Sequence, residues 1–286
     1  MPAATTAFHN RIAVVFDFDD TLAPDSYFTL LRHLGVDPEE FEDKRVKPLS
    51  EAGWDDTLAR FYQIIAEARR RNHFTLDVDF CRRVGEAIEP FPGVMEMFGK
   101  VQEWARAEVG DVDVEFYLLS AGFLDVHKQM EIAKKFTAMW GSEFYFDKTG
   151  EAVWCKQTIT YSEKVRYILA LAKGVGIQGA NEPREVYRDV PEREWHVPLS
   201  QIIYVGDGAS DMPVFELLNG NGGMAIGVYD ESATDWDALQ AVSQSRRVQN
   251  LAAADYGEES ELMRSLKLAV QSVCKLIALR RMGKGE

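Results

Sequence analysis

The sequence holds little cysteine, little histidine, a deficit of positive charge and no long apolar run. Each shortage excludes something. Its three cysteines, Cys81, Cys155 and Cys274, are odd in number and widely spaced, with no CxxC pair. That argues against a disulfide framework and for reduced thiols packed as small hydrophobes in a cytoplasmic protein. The five histidines show no metal-binding spacing, so a zinc site is not expected. Basic residues number 32 against 46 acidic, a net charge of −14. Such a field repels nucleic acid and anionic membranes, and neither is an expected partner. No stretch of about 18 apolar residues is present to span a bilayer. The first residues, MPAATTAFHNR, lack the basic region and apolar core of a signal peptide.

What remains is an ordinary globular composition, 46% hydrophobic and 27% charged. Two segments stand out: IAVVFDFDDTL (12–22) and IIYVGDGASD (202–211). Each is an apolar, β-branched run that stops at acidic residues. Runs of this kind read as buried strands, and open α/β sheets place ligands at the carboxyl ends of such strands. Asp17, Asp19, Asp207 and Asp211 are therefore expected to share one site. Clustered carboxylates repel one another, which makes most sense around a hard cation.

Between these segments, strand and helix alternate. Strands are predicted at 11–17, 113–119, 201–206 and 223–228, with a hairpin over 143–160 turning at Lys148-Thr149-Gly150. Helices are predicted at 94–108, from Ser120 to about Phe136, at 162–173, at 209–218 and from Glu258 to about Arg281. Residues 24–92 are helical instead. The span Trp54–Arg71 carries Leu58, Phe61, Tyr62 and Ile65 on one face, and 75–88 forms another helix. IEPFPGV (88–94) closes that segment. Residues 174–198, rich in Gly, Pro and charge, read as an exposed insertion. The expected fold is an α/β, Rossmann-like, doubly wound parallel sheet with a smaller helical cap domain. Residues 1–23 and 93–286 would form the core and 24–92 the cap. The cap leaves the sheet just after the first acidic loop and would lie over the site. A GxGxxG match at Gly174–Gly179 follows a helix, so it reads as a helix end rather than a dinucleotide site.

Asp17-Phe18-Asp19-Asp20-Thr21, Ser120, a downstream lysine and Gly206-Asp207-Gly208-Ala209-Ser210-Asp211 resemble the four motifs of the haloacid dehalogenase-like phosphohydrolase superfamily. They occur in that family's order, and the resemblance covers roughly 11–23 and 93–250. The insert is similar to the family's helical C1 cap. The resemblance implies an Mg²⁺-dependent phosphatase acting on a small-molecule phosphomonoester through an aspartyl-phosphate.

Under that reading Asp17 is the nucleophile and Asp19 the acid/base, its backbone carbonyl also binding metal. Thr21 would hold the loop by hydrogen bonds. Ser120 with the N–H groups of Ala121 and Gly122 would cradle the phosphate at a helix start. Lys164 would balance its charge, with Lys156 as rival. Asp207 would ligate Mg²⁺ directly, and Asp211 would ligate it or position Lys164. A phosphomutase uses the same motifs, and a non-catalytic metal- or phosphate-binding protein would keep the fold. Asp19 argues against dehalogenation and phosphonate cleavage, because family members with those activities lack an acid there. Phosphoserine phosphatases usually carry glutamate nine residues after the nucleophile; here that position is Ser26, beside Asp25. Arg45, Arg60 and Arg69 are candidates to read a second anionic group. Neither the leaving group nor the oligomeric state is legible.

Overall fold

A computed structural model describes residues 9–71, 73–177, 183–208, 210–229 and 248–283. Parts of the 174–198 stretch (178–182) and Ala209 of the second acidic motif lie outside the described residues.

Seven strands form one sheet in the order β4-β3-β2-β1-β5-β6-β7. They are β1 Arg11–Phe16, β2 Asp113–Phe123, β3 Ala138–Phe146, β4 Ala152–Gln157, β5 Ile202–Gly206, β6 Met224–Tyr229 and β7 Asn250–Ala253. All neighbours pair in parallel except β3 with β4, the expected hairpin. After β1 the chain builds outward through β2, β3 and β4. It then returns to lay β5 on β1's other side. The order therefore reverses between β1 and β5, the crevice where such sheets bind ligands.

β1 is buried on both faces, which is why it reads as an unbroken apolar run. Ile12, Val14 and Phe16 meet Met97 and Val101 of the helix Val94–Glu108 and Leu266 of the terminal helix Glu261–Gly283. Ala13 and Val15 face the opposite way, towards Ile168 and Leu171 of the helix Tyr161–Lys173 and Phe215 of the helix Met212–Gly220. Helices on both faces make the sheet doubly wound, as expected.

Residues 24–92 form a helical segment whose longer helices each open on an aspartate cap. Asp25, Asp55 and Asp77 accept the N–H groups of Phe28, Leu58 and Phe80 at 2.9, 3.0 and 2.7 Å. The segment's two ends are stitched together where Phe91 N–H donates to the Leu22 carbonyl at 2.8 Å. Its longest helix, Asp56–Arg70, buries Ala59, Phe61, Ile64, Ile65 and Ala68. Phe61 stands edge-on to Phe123 and Phe144, ring centroids 4.9 and 4.7 Å away, fastening the segment to β2 and β3. Tyr62, expected on that face, is instead 41% exposed and packs beside Trp54.

Three further expectations change. No long helix follows Ser120: β2 runs on to Phe123, and the helix after it, Leu124–His127, is a single turn. Many described residues of 174–198 are exposed, as expected of an insertion, yet the stretch is tied down. Val186 and Val197 are buried, and Lys173 Nζ donates to the carbonyls of Val186 and Arg188 at 2.7 Å each. Gly174 ends the Tyr161–Lys173 helix in the left-handed conformation, φ 75°, the helix terminus expected of it, while Gly179 lies outside the described residues. Cys81 and Cys274 are buried as expected, while Cys155 is half-buried; all three are free thiols.

Candidate active site

Asp17 immediately follows β1, and its N–H donates to the Val205 carbonyl of β5 at 2.9 Å. That single bond carries the parallel ladder one residue past the strand and fixes the carboxylate at the mouth of the crevice. Its Oδ1 accepts the Phe18 N–H at 2.7 Å. The chain then turns sharply, with Asp20 at φ 54°, a left-handed conformation that aspartate tolerates better than most residues. Thr21 holds this turn through its backbone, its carbonyl accepting the Tyr256 hydroxyl at 3.0 Å. Its own hydroxyl has no hydrogen-bond partner among the described residues, contrary to the role expected of it.

Lys164 is the centre of the cluster. It is fully buried, 0% exposed. Its Nζ donates to Asp17 Oδ2 at 2.6 Å, to Asp211 Oδ1 at 2.6 Å and to Ser210 Oγ at 3.0 Å. Burial works against its charge, but the two carboxylates hold it protonated above the ordinary lysine value. Asp211 Oδ1 also accepts the Tyr204 hydroxyl at 2.6 Å. Asp211 is thus engaged in orienting Lys164, one of the two alternatives expected for it. A Cβ on Gly206 would overlap Asp211 Oδ2, so only glycine lets that carboxylate fold back under β5. The rival lysine, Lys156, is exposed and pairs with Glu143 at 2.8 Å.

One lysine does not balance the carboxylates around it. Oxygens of Asp17, Asp207 and Asp211 lie within 4.8 Å of one another. Burial pushes Asp17 up to about 7, with Lys164 opposing and Asp211 adding to the rise. Asp207 is raised well above the carboxylate range by burial, then by Asp211 and Asp17. Such strain in an all-oxygen donor set is what a hard cation relieves. The residues present fit that group.

Asp19 stands apart from this trio. Burial raises its pKa, opposed by hydrogen bonds from Ser26. The Ser26 N–H donates to its Oδ1 at 2.7 Å. Its Oδ2 lies against Gly122, where any Cβ would overlap it.

Ser120 sits at a break in the ladder: the β2–β3 register shifts between Leu119 and Phe123. Bulges of this kind re-aim side chains beside functional sites. The Gly122 N–H donates to Ser120 Oγ at 2.9 Å. That N–H, expected to face a ligand, instead aims the serine hydroxyl. The helix that begins after this stretch, Leu124–His127, is a single turn.

Asp17, Asp19, Ser120, Ala121, Gly122 and Asp207 line one pocket of about 180 Å³. Above them it is closed by Asp25, Tyr27, Thr57, Arg60 and Tyr161. Of the three candidate arginines, Arg60 reaches this pocket. It pairs with Glu42 at 3.1 Å and lies 4.6 Å from the Tyr27 ring centre. Arg45 lines a separate cavity with Glu40 and Glu67, and Arg69 donates to the Val153 carbonyl.

Two functional neighbours escaped sequence reasoning. Tyr204 looked like one more apolar strand position, and His127 like a helix residue. Only pairing and burial expose them.

Carboxylates from two adjoining strands, drawn around a buried lysine at a switch point, define a doubly wound α/β protein with a charged crevice. The chain belongs to the haloacid dehalogenase-like hydrolase family, whose profile matches residues 14–216. An uncharacterized protein of Borreliella burgdorferi is 25% identical over 233 residues, 73% of this chain and 79% of its own length. A HAD family hydrolase from Salmonella enterica serovar Typhi has a similar fold, with TM-score 0.60 and 13% identity over 93% of this chain and 73% of that one. A phosphoserine phosphatase gives TM-score 0.53 and 16% identity, covering 90% and 98%. At these identities the structural likeness is one of fold.

Proposed function

We propose that the protein is a phosphatase that hydrolyses a small phosphomonoester through an aspartyl-phosphate on Asp17. The observation that carries this reading is the fully buried Lys164 held between Asp17 and Asp211. A buried cation fixed 2.6 Å from one carboxylate restrains that carboxylate and offers charge to an incoming anion.

Asp17 Oδ attacks phosphorus, forming an O–P bond as the bond to the ester oxygen breaks. Asp19 gives its proton to the departing oxygen. It then takes a proton from water, which attacks the aspartyl-phosphate and releases inorganic phosphate. Ser120 Oγ and the Ala121 N–H receive the phosphoryl oxygens. Asp17, Asp207 and Asp211, with the Asp19 carbonyl, would hold Mg²⁺. Bound there, the ion supplies the positive charge that lets a phosphate approach an acidic site.

The helical segment 24–92 serves as the cap, and its small pocket suits a metabolite-sized ester. Solved neighbours include phosphoserine phosphatases, yet Ser26 is fully buried here and engaged with Asp19. It has no carboxylate to read a substrate amino group. Asp25 and Arg60 are the charged groups left at the pocket's outer wall.

Phosphate release from sugar phosphates, nucleotides, phosphoamino acids and choline-type esters, with and without Mg²⁺, tests the reading. Metal-dependent release from at least one class is expected. Asp17→Asn should cost at least about 10³-fold in kcat while the protein stays folded. Substantial turnover by that variant would refute the covalent route.

A further inference from the structure

Behind Asp19 lies a buried polar layer that forms no part of the reacting site. The His127 ring is fully buried and stacks on Phe18, the residue between Asp17 and Asp19, with ring centres 3.9 Å apart and planes 28° from parallel. Its Nε2 lies 3.0 Å from Ser26 Oγ. Ser26, also fully buried, donates its N–H to Asp19 Oδ1 at 2.7 Å. On the far side, the place a Cβ of Gly122 would take is crowded at once by Asp19 Oδ2, His127 Cε1 and Ser120 Oγ. Glycine at 122 thus lets the histidine, the acid and the phosphate-cradle serine pack into one layer.

Proton bookkeeping gives this chain a direction. A proton on Nδ1 would be a buried donor with no acceptor, so the imidazole proton belongs on Nε2, which donates to the Ser26 oxygen. Nδ1 is left bare, in keeping with its having no partner among the described residues. Burial pushes the imidazole down to about 3, so the ring is neutral.

The geometry points to His127 and Ser26 as a positioning relay that aims the Asp19 carboxyl at the ester oxygen of the leaving group. The inference rests on the phosphatase reading, and it adds two residues that touch neither phosphate nor metal. His127 acts through Ser26 on Asp19, and through Phe18 on the loop carrying Asp17 and Asp19. Misaiming Asp19 harms both proton transfers assigned to it, but only the first, to the leaving oxygen, depends on the ester.

The test compares two aryl esters. p-Nitrophenyl phosphate departs without protonation, whereas the phenol of phenyl phosphate has a tyrosine-like pKa of about 10 and needs the acid. Ser26→Ala and His127→Phe, the latter keeping a ring for Phe18 to stack on, should lose about tenfold more kcat/KM, which excludes the later hydrolysis common to both esters, on phenyl phosphate than on p-nitrophenyl phosphate. KM should hold within about threefold, since ground-state binding is untouched. His127→Gln, which retains an N–H donor, should recover part of the loss. Equal losses on both esters would mean a merely structural role and would overturn the relay.

A second measurement needs no activity. Nitrogen–proton correlation spectra of the wild-type imidazole should show the proton on Nε2, with a shift of that resonance in Ser26→Ala. A proton on Nδ1 would overturn the chain of donors whatever the kinetics. A wild-type protein that releases phosphate from no ester would defeat the phosphatase reading, and the tautomer would still decide the relay.

Discussion

β1 and β2 carry a charged cluster at each end, and the two clusters obey opposite rules. At the amino end, Glu115 forms an ion pair with Arg11 at 2.9 Å, lies 2.6 Å from His196 Nε2 and accepts from the Tyr117 hydroxyl at 2.6 Å. Burial pushes that carboxyl up, yet His196, Tyr117 and Arg11 together hold it below the usual range. At the carboxyl end, Lys164 faces Asp17 and Asp211 with Asp207 beside them, and Asp17 and Asp207 are pushed up. One cluster is satisfied by its own members; the other is short of positive charge. Both ends are polar and partly or wholly buried, so burial does not separate them. The sign of the perturbation does. In this pair of clusters the carboxylate held low has its partners in the fold, and those held high are the ones a cation would relieve.

Removing the lysine is the sharpest way to break this contrast. Lys164→Met leaves buried carboxylates with no cation among them, and breaking a buried pair from one side costs about 3–5 kcal/mol. The loss should be read by urea unfolding at neutral pH. It should shrink at pH 5, where Asp17 is protonated in the folded protein. A variant as stable as wild type at neutral pH would mean that the cluster is not electrostatically strained.

Adding the missing charge should do the reverse. In the metal-free protein Asp17 is raised from 3.8 to about 7. The folded state therefore binds more protons than the unfolded chain between those values. Its stability from this group is fully present below the lower one and falls as pH rises through the window. A cation that replaces those protons should stabilise most above the window. Mg²⁺ at about 100 times its Kd contributes roughly 2.7 kcal/mol, or about 5–10 °C in Tm. Calorimetry should give that gain at pH 8 and less than half of it at pH 5. Equal gains at both pH values would place the ion elsewhere.

Sequence reading found the carboxyl end of this comparison and missed the amino end, for a physical reason. Asp17 and Asp207 announce themselves by ending apolar runs, and Lys164 by sitting in the first turn of a helix, where a cation opposes the dipole. Arg11, Glu115 and His196 lie at ordinary strand and loop positions; only the pairing of β1 with β2 and the docking of 183–201 bring them together. The same limit explains the fold. β1, β5 and β6 are buried on both faces and read as continuous runs. β7, four residues of NLAA, has too little apolar length to stand out, and β2's passage through Ser120–Phe123 depends on β3. In the helical segment, which arginine faces the pocket depends on how Asp56–Arg70 packs on β4. The loop that carries Asp17 and Asp19 was thus local information, and the layer of Ser26 and His127 behind it was not.

The smallest effect is expected where the comparison began. Glu115→Gln keeps the shape of the amino-end cluster and removes its negative charge. The pair partners are 20–30% exposed, so solvent screens them and the loss should be about 1 kcal/mol at pH 7. A carboxyl held low contributes stability that is present above its unfolded pKa, about 4.3, and is lost as pH falls through its lowered folded value. Wild type and variant should therefore differ across neutral pH and converge as pH falls through that lowered value. Phosphate release should be unchanged, because the cluster lies at the opposite end of the strands from Asp17. A kinetic defect in Glu115→Gln comparable to the loss in Lys164→Met would break the contrast, since it would show the two ends of β1 acting as one unit.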